Sequence, residues 1–169
     1  MSATGSTSGK KGAAQTTKFI GRAFAKDVDG IMIGARTTSY VGVIRNLRNL
    51  QRRYLAQLEH DPDLALEIRR RIAENELIHA LLHGCAIRTC RVKLKALSKL
   101  TFADMNRKAQ FSLIYARGAL ARGHRRAARQ SALTVETELG RSPQTRKSPE
   151  AQQWLAVARA LLDSIDKIG

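Results

Sequence analysis

The stretch "TSYVGVIRNLRNLQRRYLAQLEHDPDL", residues 38–64, decides the fold. Apolar side chains recur in it every three or four residues, which is the period that places side chains on one face of an α-helix. These side chains are Tyr40, Val43, Ile44, Leu47, Leu50, Tyr54 and Leu58. Asp61 then offers an N-terminal cap, Pro62 suits the first helical position, and Asp63 favours the positive end of a helix. The stretch therefore predicts a helix over residues 38–60 and a second helix that begins at Asp61.

The same period continues on both sides of this stretch. Helices are predicted over residues 18–30, 38–60, 61–83 and 85–100, from residue 101 onward, and over residues 149–169. Thr101 and Asp104 have the spacing of a capping box, and Ser148 is a cap before Pro149. Gly123 marks a bend or break. We therefore predict an all-α fold of five to six helices that form a helical bundle, preceded by a basic flexible N-terminal arm.

Residues 85–100 are the one segment with a competing interpretation. The sequence alternates around Val92 and Leu94, as a strand would. A single apolar stripe at helical spacing (Ile87, Cys90, Leu94 and Leu97) favours the helix. Cys85 and Cys90 then point away from each other on that helix, which predicts free thiols and no disulfide.

The composition divides the chain into four segments. Residues 1–18 are small, polar and basic without an apolar period, which predicts a flexible arm. Residues 19–139 form a basic helical domain, and residues 140–148 form a linker. Residues 149–169 hold two basic and three acidic side chains, so the last helix is predicted to pack and not to bind a polyanion.

The net charge limits the function most strongly. The chain carries 30 Lys and Arg against 14 Asp and Glu, a formal net charge of +16. Such an excess opposes compaction unless an anionic partner offsets it, and polyanions are the usual partner. No apolar run approaches the ~20 residues of a membrane span. The first 18 residues lack the apolar segment of a signal peptide, so no signal-directed secretion is expected.

Basic residues lie in rows on three predicted helices, almost without acidic neighbours. Ordinary solvated helix faces interleave Glu with Lys or Arg at four-residue spacing, and these rows do not. The third row lies in "ARGHRRAARQ", residues 121–130, and spans about 100° if the helix continues through Gly123. We predict that the rows and the basic residues near the N-terminus contact phosphates. They are Lys10, Lys11, Lys18, Arg22, Arg45, Arg48, Arg52, Arg88, Arg91, Lys95, Lys99, Arg122, Arg125, Arg126 and Arg129.

Candidate catalytic and metal chemistry is sparse. Glu76, His79 and His83 share a helical face, and Glu76 and His79 have the Glu-x-x-His spacing of di-iron bundles. Such sites need a second motif and two further carboxylates, which the sequence lacks. No nucleophile and base are paired by spacing. The sequence predicts a non-enzyme without a metal or cofactor.

The layout of a basic N-terminal part, basic-striped helices and an apolar C-terminal helix resembles the helical major capsid proteins of filamentous archaeal viruses. In that family a basic helical N-terminal part wraps double-stranded DNA, and a helical bundle contacts neighbouring subunits. The resemblance implies DNA held in a dehydrated A-form and a paired or repeating subunit. It lies in layout, so no family residue is carried over to this chain.

The expected function is that of a non-enzymatic, sequence-tolerant nucleic-acid-binding structural protein that coats or packages DNA, as a capsid protein or nucleoprotein does. Double-stranded DNA is the favoured partner, with RNA as the alternative, and a homo- or hetero-oligomer is expected. The favoured location is a virion or nucleoprotein complex, and otherwise an intracellular one. Three other classes stay open. The first is a ribosome-associated or organellar RNA-binding protein, and the second is a basic amphipathic membrane-surface or interaction protein. The third is an enzyme, as a nuclease or transferase accessory.

Overall fold

The computed structural model describes residues 8–168, with side chains described from residue 15 onward. Seven α-helices and one 3₁₀ turn (Thr145–Lys147) occupy these residues, and no strand occurs among them. The helices are α1 (Ser8–Gly34), α2 (Tyr40–Leu55), α3 (Pro62–Leu82), α4 (Ile87–Leu100), α5 (Met105–Ala121), α6 (Arg125–Arg141) and α7 (Pro149–Lys167). The predicted all-α class is confirmed, and residues 85–100 form a helix and not a strand.

The chain divides into two compact units, Met1–Ile72 and Ala73–Gly169, and the division falls within α3. The core of the first unit joins α1, α2 and the start of α3. Phe24 packs edge-on against Tyr54, with ring centroids 5.2 Å apart. The apolar face predicted for α2 is the face that is buried: Val43, Ile44, Leu47, Leu50 and Tyr54. The stretch that predicts the fold thus supplies most of this core.

The core of the second unit is built from small side chains. Helices α5, α6 and α7 pack on one another, and α4 packs on α5. Ala116, Ala132 and Ala158 are completely buried where these helices meet. Alanine lets helix backbones approach closely, and Leu113, Val135 and Leu139 fill the remaining space between them. The C-terminal helix therefore belongs to this core.

The N-terminus differs from the predicted arm. Residues 1–7 lie outside the described residues, but residues 8–18 are helical and form the start of α1. Ala, Gln and Lys in this segment are good helix formers. Because Phe24 and Val28 nucleate the helix by packing on the core, each residue added upstream costs little. Residues 8–18 of the predicted arm are therefore helical, and the flexibility predicted for the arm stays a prediction.

Two predicted boundaries in the first unit also shift. Gly30 was expected to end the first helix, but α1 continues to Gly34 because Ile31 and Met32 pack against the core. The second helix ends at Leu55 and not at His60. Leu58 is still buried, in the turn that follows. Tertiary packing outweighs the local stop signal in the first case.

In the second unit, local capping signals give mixed results. The Ser148 hydroxyl accepts from the Ala151 N–H and caps α7, as predicted. Thr101 was expected to begin a capping box, but its hydroxyl donates to the Leu97 carbonyl at the end of α4. Asp104 alone caps α5, through the Arg107 N–H. The predicted linker over residues 140–148 begins inside α6, which ends at Arg141.

The predicted break at Gly123 is present and separates α5 from α6. Gly123 has φ +77°, a conformation in which other residues are strained. The helix does not continue through the arginine cluster, so the condition for a 100° arc of four arginines is not met. This break also raises the helix count to seven. Among residues 8–168, no helix is both long and apolar enough to cross a membrane.

Candidate nucleic-acid interface

Several basic side chains of the second unit point inward and are paired. The Lys93 ammonium lies 2.6 Å from the Glu76 carboxylate, and both side chains are largely buried. Arg107 on α5 donates from Nε to the carboxylate of Glu74, whose side chain is only 6% exposed. Because a buried carboxylate needs a counter-charge, these basic residues serve the fold and are unavailable to a partner.

The arginine cluster, Arg122, Arg125, Arg126 and Arg129, is largely engaged within the protein. Arg122 donates to the carbonyls of Leu81 and Cys85. Leu81 lies in the last turn of α3 and Cys85 lies just beyond it, where backbone carbonyls have no partner within the helix. Arg125 donates to the Ile165 carbonyl.

The remaining two members of the arginine cluster differ from each other. Arg129 pairs with Asp166 at 3.1 Å, and both side chains are about half exposed. Arg126 is exposed, and no hydrogen bond or ion pair joins its side chain to any residue in the described part of the chain. Three of the four predicted contact residues therefore have partners inside the fold.

The outer surface of α4 has the opposite character. We call the exposed side chains of Arg88, Arg91, Lys95 and Lys99 the α4 face. Within residues 8–168, no acidic side chain pairs with any of these four. Cys90 and Leu97, on the other side of the helix, are completely buried. The α4 face is thus a row of unpaired cations about 16 Å long, at 1.5 Å per residue.

Arg126 extends the α4 face on one side. A cleft of about 590 Å³ is lined by residues of α4 and of the start of α6. Arg91 lies on its α4 side, and His124 and Arg126 lie on its α6 side. The two elements therefore present their cations to one concave surface.

The first unit carries a separate basic surface on α2. Arg45, Arg48 and Arg52 are all exposed, and Arg52 donates to the side-chain oxygen of Asn49 at 2.6 Å. Arg53 is different because it turns to Asp27, 2.6 Å away. The same carboxylate accepts a hydrogen bond from the Tyr54 hydroxyl. The pKa of Tyr54 is raised, mainly by burial and secondly by this hydrogen bond.

The N-terminal site residues are placed less completely. Lys18 and Arg22 are exposed on α1. The side chains of Lys10 and Lys11 lie outside the described residues, so their predicted phosphate contacts stay predictions.

The Glu76, His79 and His83 group does not form a metal centre. Glu76 is engaged by Lys93, and the rings of His79 and His83 are 5.8 Å apart and tilted. Burial of His79 lowers its pKa, and the charge of His83 lowers it further. Among the described residues, no three His, Cys, Asp or Glu side chains are grouped to hold a metal ion. Cys85 and Cys90 are free thiols.

Sequence reasoning missed the cleft between α4 and α6, although one signal pointed to it. Neither helix has an acidic residue in its first turn, and neither has a side-chain cap. Acidic residues and caps stabilise the positive end of a helix, so their absence from both helices marks an unusual site.

Comparison with known proteins gives no assignment: no protein-family model, no curated protein and no solved structure matches the chain.

Proposed function

We propose that the protein is a non-enzymatic, sequence-tolerant nucleic-acid-binding structural protein, and that the α4 face is its main contact with the phosphate backbone. The observation that carries the proposal is the contrast on α4 itself. Lys93, the inward cation, has the carboxylate of Glu76, whereas the four outward cations have none within the described chain. A surface that gathers unpaired guanidinium and ammonium groups is stabilised by a polyanion.

Duplex DNA supplies the required density of charge. It carries one negative charge per ~1.7 Å of axis, so the 16 Å row faces roughly nine phosphate charges. Arg88 and Arg91 add the planar fork that suits phosphate oxygens. The sequence of α4 holds no Asn or Gln, the side chains that read adenine edges. Contacts of this kind fix position and carry little base information, which favours sequence-tolerant coating.

The α2 surface of the first unit adds a second region of contact. Arg45, Arg48 and Arg52 repeat at helical spacing on its exposed side, beside the buried stripe that packs the core. A protein with one basic surface in each unit can contact a long polyanion at two places. This supports a packaging role, of which the filamentous capsid arrangement, with repeating subunits on duplex DNA, is the most specific form.

The test is binding of the full chain to a labelled 30-base-pair duplex DNA, to the same duplex as RNA and to one single strand, from 50 to 200 mM salt. If six to ten phosphates are neutralised, the affinity falls about 10³–10⁵-fold over this range. Different sequences of equal length should bind within about threefold, because the contacts lie on the backbone. Saturated complexes are then imaged for filaments.

The alternatives give distinct outcomes in the same assay. Stronger binding to duplex RNA than to DNA would favour the ribosome-associated or organellar RNA-binding class. Binding to acidic vesicles with no affinity for either nucleic acid would favour the membrane-surface class. Affinity that does not change with salt would overturn the proposal, because phosphate neutralisation releases counterions.

A further inference from the structure

The cleft between α4 and α6 continues into a trough along these two helices. Its wide end is the cleft of about 590 Å³ at the start of α6, and its narrow end has a volume of about 260 Å³. Arg91, Ala127 and Gln130 line both ends, so the two ends are adjacent. Helices α4 and α6 each pack on α5, whose residues Ser112 and Tyr115 line the narrow end. Site volumes for small molecules begin at about 300 Å³, so the trough is large enough for one small ligand.

The wide end concentrates positive charge from two helix termini. Ile87 is the first residue of α4 and Arg125 is the first of α6, and both line this end. Neither helix has a side-chain cap or an acid in its first turn, whereas α5 and α7 are capped by Asp104 and Ser148. Cations in a first turn oppose the helix dipole, and Arg126 adds one at this point. An anion bound at this end would be stabilised by the N-termini of both helices and by the cation.

The narrow end holds an independent sign of a ligand. The Tyr115 side chain lines it, the residue is 3% exposed, and its buried hydroxyl has no hydrogen-bond partner. The nearby serines do not meet this need: Ser98 donates to the Leu94 carbonyl, and Ser131 donates to the Ser112 carbonyl. A buried hydroxyl without a partner is destabilising, so such a group beside an open pocket points to a ligand that completes it.

We propose that the trough binds one nucleotide unit that carries a phosphate monoester. The phosphate lies at the wide end with Arg91, Arg126 and the N–H groups that begin α6, and the nucleoside lies at the narrow end beside Tyr115 and Gln130. A monoester carries about −1.5 to −2 charges at neutral pH, so it matches the positive charge of the wide end better than a singly charged diester. The proposal rests on the proposed function, because the 5′ end of a bound strand is one form of this ligand; a free nucleotide is the other.

The test compares three probes on the full chain at one salt concentration: a ten-nucleotide strand with a 5′ phosphate, the same strand with a 5′ hydroxyl, and free adenosine monophosphate. The 5′ phosphate should raise the strand affinity about tenfold, as charge-assisted hydrogen bonds do. Tyr115→Phe and Arg126→Gln should each remove this difference. Tyr115→Phe should leave the affinity for the 5′-hydroxyl strand within about twofold, whereas Arg126→Gln also removes a cation beside the α4 face and should weaken the binding of both strands. Arg141→Gln, at an exposed site outside the trough, is the matched control and should change neither affinity.

The outcomes separate the trough from the proposed function. Equal affinity for both strands, with no binding of the free nucleotide, overturns the trough and leaves backbone binding intact. Binding of the free nucleotide without either strand supports the trough and contradicts the proposed function. If inorganic phosphate competes as well as adenosine monophosphate, the nucleoside half is wrong. Tyr115→Phe removes a hydroxyl without a partner and should fold; if it does not, Arg126→Gln decides the question from an exposed position.

Discussion

The α4 face and the arginine cluster hold the same number of basic residues but differ in the partners of those residues. Each presents four basic residues within a dozen positions, and neither has an acidic neighbour in sequence. In the arginine cluster, Arg122 and Arg125 donate to carbonyls, and Arg129 meets Asp166. In the α4 face all four cations point outward without a partner in the described chain. Local charge density therefore does not tell which basic residues have partners inside the fold, whereas the distribution of acceptors across the fold does.

The largest expected effect is a loss of stability when one of the inward-pointing, paired basic residues is removed. Arg107→Met removes the partner of Glu74, whose carboxylate stays buried, and should lower the free energy of unfolding by about 3 kcal/mol. Urea denaturation followed by the fluorescence of Trp154 reports on the second unit. The matched change Lys95→Met, on the α4 face, should shift stability by less than about 0.5 kcal/mol. Equal losses of stability from the two changes would contradict the distinction between paired inward residues and the α4 face.

Arg122 gives the next largest effect and tests the arginine cluster itself. Arg122→Met leaves the carbonyls of Leu81 and Cys85 without their donor and should cost about 2 kcal/mol, the range for hydrogen bonds to charged groups. Arg126→Met, in the same cluster, should leave the urea midpoint within error. If Arg122→Met instead weakens DNA binding with stability intact, the internal role assigned to Arg122 is wrong.

Protonation of His79 should lower the free energy of unfolding of the second unit and leave the α4 face unchanged. Burial lowers the pKa of this imidazole from its ordinary value of 6.5. Below that pH the unfolded chain takes up a proton that the native state resists, so the free energy of unfolding falls as the pH drops from 7 to 5.5. The slope is at most ~1.4 kcal/mol per pH unit for one proton.

The variant His79→Gln isolates this contribution. It should flatten the slope in that window, whatever its effect on absolute stability, because the titrating group is gone. A wild-type stability that stays constant from pH 7 to 5.5 would contradict the account of His79.

The smallest effect is expected at the ion pair of Arg129 and Asp166. Both side chains are about half exposed, so Asp166→Asn should change stability by less than about 0.5 kcal/mol. The change also frees the Arg129 guanidinium. The salt-dependence slope for DNA should rise by at most ~0.9, the contribution of one phosphate contact. A larger rise in this slope would mean that more than one member of the arginine cluster contacts DNA.

Sequence reasoning succeeded where the deciding interactions are local. Asp61 accepts from the Leu64 N–H and Ser148 from the Ala151 N–H, each three residues away, and the apolar stripe of α2 is buried as its period predicts. It did not anticipate the internal contacts of Arg122, because the two carbonyls that accept its hydrogen bonds lie 41 and 37 residues earlier. No spacing rule reaches that far.

The trough was not predictable for a similar reason. Tyr115 lies on an apolar helix and resembles an ordinary core residue in sequence. Only the packing of α4 and α6 on α5 makes this residue part of the lining of a pocket that Arg91 and Gln130 also line. The missing caps of α4 and α6 are visible in the sequence, but their convergence is not.

The most direct test of the central claim compares two variants that each remove four of the sixteen net positive charges. The first changes Arg88, Arg91, Lys95 and Lys99 to Gln, and the second changes Arg141, Arg146, Lys147 and Lys167, which are exposed elsewhere in the same unit. The measured quantity is the slope of log affinity against log salt for duplex DNA. The account predicts that the first variant lowers the slope by about 3–4, at ~0.9 per phosphate, and that the second changes it by less than about 1. Equal slopes for the two variants would contradict it.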